Sequence, residues 1–318
     1  IDAGFWESIA FLPENLVFSY ATADYDIQED LEGPRTDALN VGFEVALAPD
    51  WVLGVEYIHK NDKNMVTNLD RTPHTYEPVE YTDPDIGTTQ TLYIRTDDLA
   101  SDWVVGNHDY YFRKHDMAIV SLEKRWSSDF SFMTSLTYQN SRGNIENTAD
   151  VQWGWAVTQS EATNPNYNGH PYSEGPMTYS RTWQFKILGS YRLPWDIMAS
   201  AYLQQMSGRP WTPLRWYNRL PFDLNDPLNR TIRVEPRGNR TRDALTKIDL
   251  RAQKDFEIGN SGRFQLFMDV FNLTNASSTT GIYDGLWSVW PIQGGSSFGS
   301  PSGIIGPRQI RLGVKFLF

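Results

Sequence analysis

The chain has 318 residues, 39 acidic against 28 basic side chains, a net charge of −11, no cysteine and a mean hydropathy of −0.49. The acidic balance argues against a nucleic-acid partner, and the lack of cysteine excludes disulfides and thiolate metal sites. No stretch approaches the roughly 18 apolar residues of a membrane helix, yet a transmembrane β-barrel stays open, because its strands of about 9–11 residues turn only every second side chain to lipid.

The opening residues carry no initiator Met, basic n-region or apolar h-region. Residues 14–23, with Leu16, Phe18 and Tyr20, predict a first strand, and an acidic connection follows to Pro34. Residues 36–47 then alternate cleanly, with Leu39, Val41, Phe43, Val45 and Leu47 on one face. A turn at Ala48, Pro49 and Asp50 leads into a second strand over 51–61. The same device recurs. Residues 116–126 turn through Ser127, Ser128 and Asp129 into 130–140; 179–193 turn through Pro194, Trp195 and Asp196 into 197–207; 244–257 turn through 258–262 into 263–273. A last strand closes the chain at 308–318, making nine strands with a tenth over 14–23.

Between these hairpins lie long connections, 62–115, 141–178, 208–243 and 274–306, which read as structureless. In a compact soluble domain such loops would count against the strands themselves. Short turns alternating with long loops are the expected pattern of an outer-membrane barrel, so the fold class is all-β, a transmembrane antiparallel up-and-down β-barrel. Glu44, Glu56, Lys186, Arg192, Asp249, Arg251, Asp269, Arg311 and Lys315 fall on the face opposite the apolar one and are expected to line the lumen. Trp126, Phe130, Trp195, Phe256, Phe264 and Phe316 stand beside the short turns and suit a periplasmic aromatic girdle; 12 Trp, 16 Tyr and 16 Phe make aromatics 14% of the chain.

Chemistry-bearing patterns are few. The five histidines show no ligand spacing, so no metal site is expected. Loop 62–115 holds ten acidic and five basic residues, including Asp83, Asp85, Asp97 and Asp98. Without EF-hand spacing it reads as a solvated acidic loop rather than a calcium site. Loop 208–243 carries Arg215, Arg219, Arg230, Arg233, Arg237, Arg240 and Arg242 with Trp211, Trp216 and Tyr217. Arginine forks pair anions and aromatic faces stack on rings, so Trp211, Arg215, Trp216, Tyr217, Arg219, Arg233 and Arg237 are the candidate ligand-binding residues. Arginines facing lipopolysaccharide phosphates or the acidic loops are the equal alternative. No nucleophile constellation, phosphate loop or paired-carboxylate motif stands out; no enzyme activity and no cofactor are expected.

In the terminal strand, Ile310, Leu312, Val314, Phe316 and Phe318 share one face. The spacing of Arg311, Gly313, Phe316 and Phe318 resembles the C-terminal signal by which outer-membrane barrels are recognised by their assembly machinery. Residues 33–44, 57–66, 183–195, 207–211 and 267–275 resemble the C-terminal half of TonB-dependent outer-membrane receptors, most closely the Oar-like group whose members often carry a carboxypeptidase-regulatory-like domain. This resemblance runs from about residue 30 to 318. It implies a 22-stranded barrel of which this chain supplies about ten strands, with the plug domain and signal peptide absent from residues 1–318. The rest of the receptor or a second chain would complete the barrel. It further implies location in the cell outer membrane, contact with the lipid bilayer and lipopolysaccharide, coupling to TonB through a missing N-terminal segment, and import of a scarce solute. A passive porin, an outer-membrane adhesin and a soluble sugar-binding β protein are the rivals.

Overall fold

Nine long strands pair in strict chain order in the computed structural model: β1 (Arg35–Ala48), β2 (Trp51–Lys63), β3 (Arg113–Ser127), β4 (Phe130–Gly143), β5 (Trp183–Leu193), β6 (Ile197–Met206), β7 (Leu245–Glu257), β8 (Arg263–Phe271) and β9 (Gln309–Leu317). Every neighbouring pair is antiparallel, the up-and-down order of a barrel wall. The structure describes residues 26–145, 149–150, 165, 172–216, 220–224, 231–258, 262–286 and 298–318. The expected strand over 14–23 lies outside them. Among the described residues β1 and β9 each have one neighbour in this sheet, so the wall is open at both edges.

Register carries the two-residue alternation across the whole sheet. Phe132, Gly189, Ala201, Leu250, Val270 and Ile310 form one cross-strand row, and Val55, Val120, Leu136 and Phe185 another. The opposite face carries Ser121, Ser135, Lys186, Gln204 and Lys247 in one row and Arg251, Asp269 and Arg311 in another, two rows nearer the short turns. The apolar face has little of the chain over it: Phe43 is 59% exposed and Leu312 75%. A sandwich would bury such a face, whereas lipid covers it without a second sheet. Among the described residues no helix is long and apolar enough to cross a membrane.

Among the described residues the short turns form as predicted, while 259–261 of the turn before β8 lie outside them. Ser128 and Asp129 both take positive φ, 49° and 68°, matching a two-residue hairpin turn to the twist of β3 and β4. Lys124 is a departure, since alternation places it on the apolar side. Its ammonium bends into that turn, where it donates to the Ser127 carbonyl at 2.8 Å and the Phe130 carbonyl at 3.1 Å and lies 3.8 Å from the Phe130 ring centroid. The polar face also departs from expectation: Met133 and Leu188 face each other across β4 and β5 on it, each about half exposed.

The long connections are not structureless. Asp26–Ile27, Trp103–Asn107, Val66–Asp70 and Ala149–Asp150 form a small four-stranded sheet. Tyr76–Thr82 pairs with Thr89–Arg95, Leu214–Trp216 with Thr231–Arg233, Pro210–Trp211 with Arg240–Thr241, and Thr279–Ile282 with Pro301–Ile304. Backbone groups that would otherwise need water thus find partners inside the loops, and side chains build two small cores. Tyr81, Leu92, Leu224 and Ile232 make one, and Met65, Tyr111 and Ile145 the other.

Candidate functional site

The candidate arginines sit in this loop layer, on the rim opposite the short turns. Hairpin Tyr76–Thr82/Thr89–Arg95 packs against the connection between β6 and β7 through Tyr81, Leu92, Leu224 and Ile232. Two hydrogen bonds follow the same seam: the Arg95 N–H donates to the Leu224 carbonyl at 3.1 Å, and the Thr88 hydroxyl donates to the Val234 carbonyl.

Arg215 closes the seam. Its guanidinium is buried and meets Asp83 with two parallel bonds, Nε to Oδ2 at 2.8 Å and Nη2 to Oδ1 at 2.7 Å. Nη2 also reaches Asp85 Oδ2 at 2.6 Å, and Nη1 donates to the Leu286 carbonyl at 2.9 Å. Burial alone would raise the Asp83 pKa; the Arg215 fork and the N–H groups of Asp85 and Ile86 outweigh it and hold the carboxyl below its ordinary range. Burial, and then the charge of Asp83, push the neighbouring Tyr81 hydroxyl up to about 12. Asp83 is therefore no solvated loop acid, and the acidic loop reading is corrected here: Asp62, Asp70 and Asp83 are all buried, each with partners.

A second knot ties the base of the same hairpin. His74 is buried, with Nδ1 2.8 Å from Asp97 Oδ1 and Nε2 3.0 Å from Asp70 Oδ2. Asp97 also accepts from the Thr75 N–H at 2.5 Å, the Leu99 N–H at 3.1 Å and Arg95 Nε at 3.1 Å. Against the opposing effect of burial, these donors hold Asp97 well below the carboxylate range. Among the described residues no group of three or more His, Asp or Glu side chains is arranged to hold a metal ion.

The sequence-predicted ligand residues thus divide. Arg215 and Arg237 are buried inside the layer, Arg237 donating to the Asn144 carbonyl at 3.0 Å, so they position the loop rather than face a solute. Trp211 is buried too, edge-on to Phe298 with ring centroids 6.0 Å apart and the Arg240 guanidinium 5.3 Å from its own centroid. Arg240 is held by Glu235 through bonds of 2.9 and 2.6 Å. Arg233 is half-buried opposite Leu214. The backbone of Trp216 pairs with Thr231, while Tyr217 and Arg219 lie outside the described residues. Sequence reasoning missed Asp83 and Asp85 as partners of Arg215, because they lie some 130 positions away and only the loop packing brings them together.

On β9 the structure shows what surrounds three of the residues expected to form the assembly signal. Arg311 reaches Asp269 at 2.7 Å, and Phe318 is fully exposed. Gly313 faces Phe267 across the sheet, and a Cβ there would lie 2.2 Å from the ring's Cζ. The Phe267 ring occupies that space with the Arg251 guanidinium 4.3 Å and the Arg311 guanidinium 5.8 Å from its centroid.

An open antiparallel wall with an exposed apolar face, a charged opposite face, tight turns on one rim and packed loops on the other defines the barrel fold of outer-membrane transporters. Comparison with solved structures agrees: the chain is similar to the outer membrane transporter YddB from Escherichia coli, with a TM-score of 0.53 and 10% sequence identity. The match covers 92% of this chain and 33% of that one, so the chain spans about a third of the transporter's length. No protein-family model and no curated protein matches the sequence.

Proposed function

We propose that the chain forms the C-terminal wall of an outer-membrane transporter of the TonB-dependent kind, importing a scarce solute such as a siderophore, oligosaccharide or peptide. One observation carries this reading: the wall presents a charged face with Arg251, Asp269 and Arg311 in one row, and the loops at its long-loop rim pack cores of their own. Ligand sites are concave and largely pre-formed, and a loop layer held by its own cores supplies such a frame. The likeness to YddB supports the fold side of the proposal.

In this reading the loop layer is extracellular and the short turns are periplasmic. The two free sheet edges pair with further strands, from the rest of the receptor or a second chain, because unpaired edges are too costly in lipid. Arg311, Gly313, Phe316 and Phe318 address the chain to the barrel-assembly machinery, and TonB acts through an N-terminal segment ahead of a plug. Loop 208–243 meets the solute, with Arg215 and Arg237 holding its shape.

The test is uptake by cells carrying or lacking the gene, with the inner membrane energised or uncoupled. The reading predicts loss of growth on one limiting solute in the deletion strain and dependence of its import on energisation. Import that continues undiminished in uncoupled cells would identify a passive pore instead.

A further inference from the structure

Three arginines meet at the long-loop rim of β5, β6 and β7. On one side, Met206 faces Leu245 and Pro210 faces Thr241, so register is the same above and below residues 207–209. Arg209 therefore faces Arg242, and the Arg242 N–H donates to the Arg209 carbonyl at 3.0 Å. Gly208 permits this approach, since a Cβ there would lie 1.7 Å from the Arg242 carbonyl oxygen. On the other side, Gln184 faces Met206 and the Ser207 N–H donates to the Trp183 carbonyl at 3.0 Å; continuing that register sets Arg181 opposite Arg209. The three side chains thus form one cross-strand row, and like charges directly opposed destabilise a sheet.

Among the described residues no ion pair neutralises the row. None of the three makes an ion pair there: Arg181 donates to the Ser207 carbonyl, Arg242 donates to the Thr280 carbonyl, and the buried Nε of Arg242 has no partner. Burial, and then the neighbouring guanidinium charges, hold Arg181 and Arg242 below the usual arginine range. The nearby acids answer them only in part. Asp243 is placed on the opposite side by alternation and accepts from the Thr279 hydroxyl at 2.9 Å, while Asp284 attracts Arg242 but is itself buried, which raises its pKa and leaves Arg181 and Arg209 without that charge.

Alternation also settles which side of the wall the row occupies. Arg181 continues the face of Trp183 and Phe185, Arg209 that of Ala201 and Leu203, and Arg242 that of Thr246 and Ile248, which is the apolar face. The next row toward the turns holds Trp183 opposite Tyr138, itself 59% exposed, an aromatic pair of the kind that marks a bilayer's interface in barrel walls. A solute crossing the lumen would not pass here.

We infer that Arg181, Arg209 and Arg242 form a site for a phosphate group carried by the headgroup of an outer-leaflet lipid, an inference that rests on the membrane reading above. Guanidinium forks match phosphate oxygens two at a time, and an anion in the row turns mutual repulsion into shared attraction. The experiment uses the full-length protein extracted in mild detergent, stripped of lipid and titrated with a bis-phosphorylated glycolipid, its dephosphorylated counterpart, or inorganic phosphate, with binding read by native mass spectrometry. Wild type should bind the phosphorylated glycolipid about tenfold tighter than the dephosphorylated one. The triple variant Arg181→Gln, Arg209→Gln, Arg242→Gln should lose that preference, and the triple Lys variant should keep part of it. Heat-modifiable mobility on gels certifies that each variant is folded. A folded triple Gln variant with the wild-type preference would overturn the site. Displacement of the glycolipid by equimolar inorganic phosphate would overturn the lipid assignment and leave a soluble-anion site. A protein that stays monodisperse without detergent would instead defeat the membrane reading.

Discussion

At the residue scale, the buried pair of Arg215 and Asp83 decides whether the loop layer is one body or several. Removing one partner strands a buried charge, which costs about 3–5 kcal/mol, more than the net worth of the pair itself. Arg215→Ala should therefore loosen residues 76–95 and 210–234 together, seen as hydrogen exchange accelerated by two or more orders of magnitude, while β1 to β9 exchange as before. Unchanged protection of those segments would show that the hydrophobic contacts around Tyr81 and Leu92 suffice. Acid should act at the same places. Asp70, Asp83 and Asp97 all have folded-state pKa values depressed below the ordinary carboxylate value near 3.9. Their stabilisation is complete above about pH 4 and is lost as pH falls through the folded values. Near-ultraviolet circular dichroism from the loop aromatics should fade below about pH 4 while the far-ultraviolet sheet signal persists. A loop signal constant down to pH 2 would contradict this. Neither knot was legible beforehand: residues rich in Asp and Arg signal charge, but which carboxylate meets which guanidinium is a property of packing.

At the scale of elements, alternation and turn chemistry were enough to place all nine wall strands, because period two is local and each turn announces itself by Pro, Ser or Asp. Trp195 shows the limit of that reading. It takes a left-handed φ of 63° and is 79% exposed, a conformation that disfavours a bulky side chain and that no pattern foretold. The shortest loop strands were invisible for a related reason: Thr279–Ile282 has four residues and Leu214–Trp216 three, too few to show a period, whereas the seven-residue strands Tyr76–Thr82 and Thr89–Arg95 hide theirs behind Pro78 and the unbroken run Leu92, Tyr93, Ile94. Gly313 in β9 is the most testable position in the wall. Gly313→Leu should displace the Phe267 ring from beside Arg251 and Arg311 and reduce the yield of folded, heat-modifiable barrel several-fold. The double variant with Phe267→Ala should recover most of that loss, since the space is then free. Failure of the second substitution to rescue would mean that Gly313 is read directly by the assembly machinery rather than required by packing.

At the scale of the molecule, the sheet and the loops divide the labour. The wall carries one apolar and one charged face and remains open at β1 and β9 among the described residues; the loops carry the small cores and the buried Arg215–Asp83 pair. β5 has 11 residues, about 36 Å of extended chain, which a tilt near 40° reduces to roughly 28 Å, enough to cross a hydrocarbon layer. The sequence contains no cysteine, so single cysteines can be introduced and labelled without background. The direct test is a cysteine scan along β5, from 184 to 192, with a fluorophore on each and quenching by lipid-bound bromine compared with quenching by aqueous iodide. Positions 185, 187, 189 and 191 should be quenched from the lipid, and 184, 186, 188, 190 and 192 from water, in strict alternation. Quenching that ignores this alternation, or aqueous access at every position, would contradict the membrane wall on which the account stands.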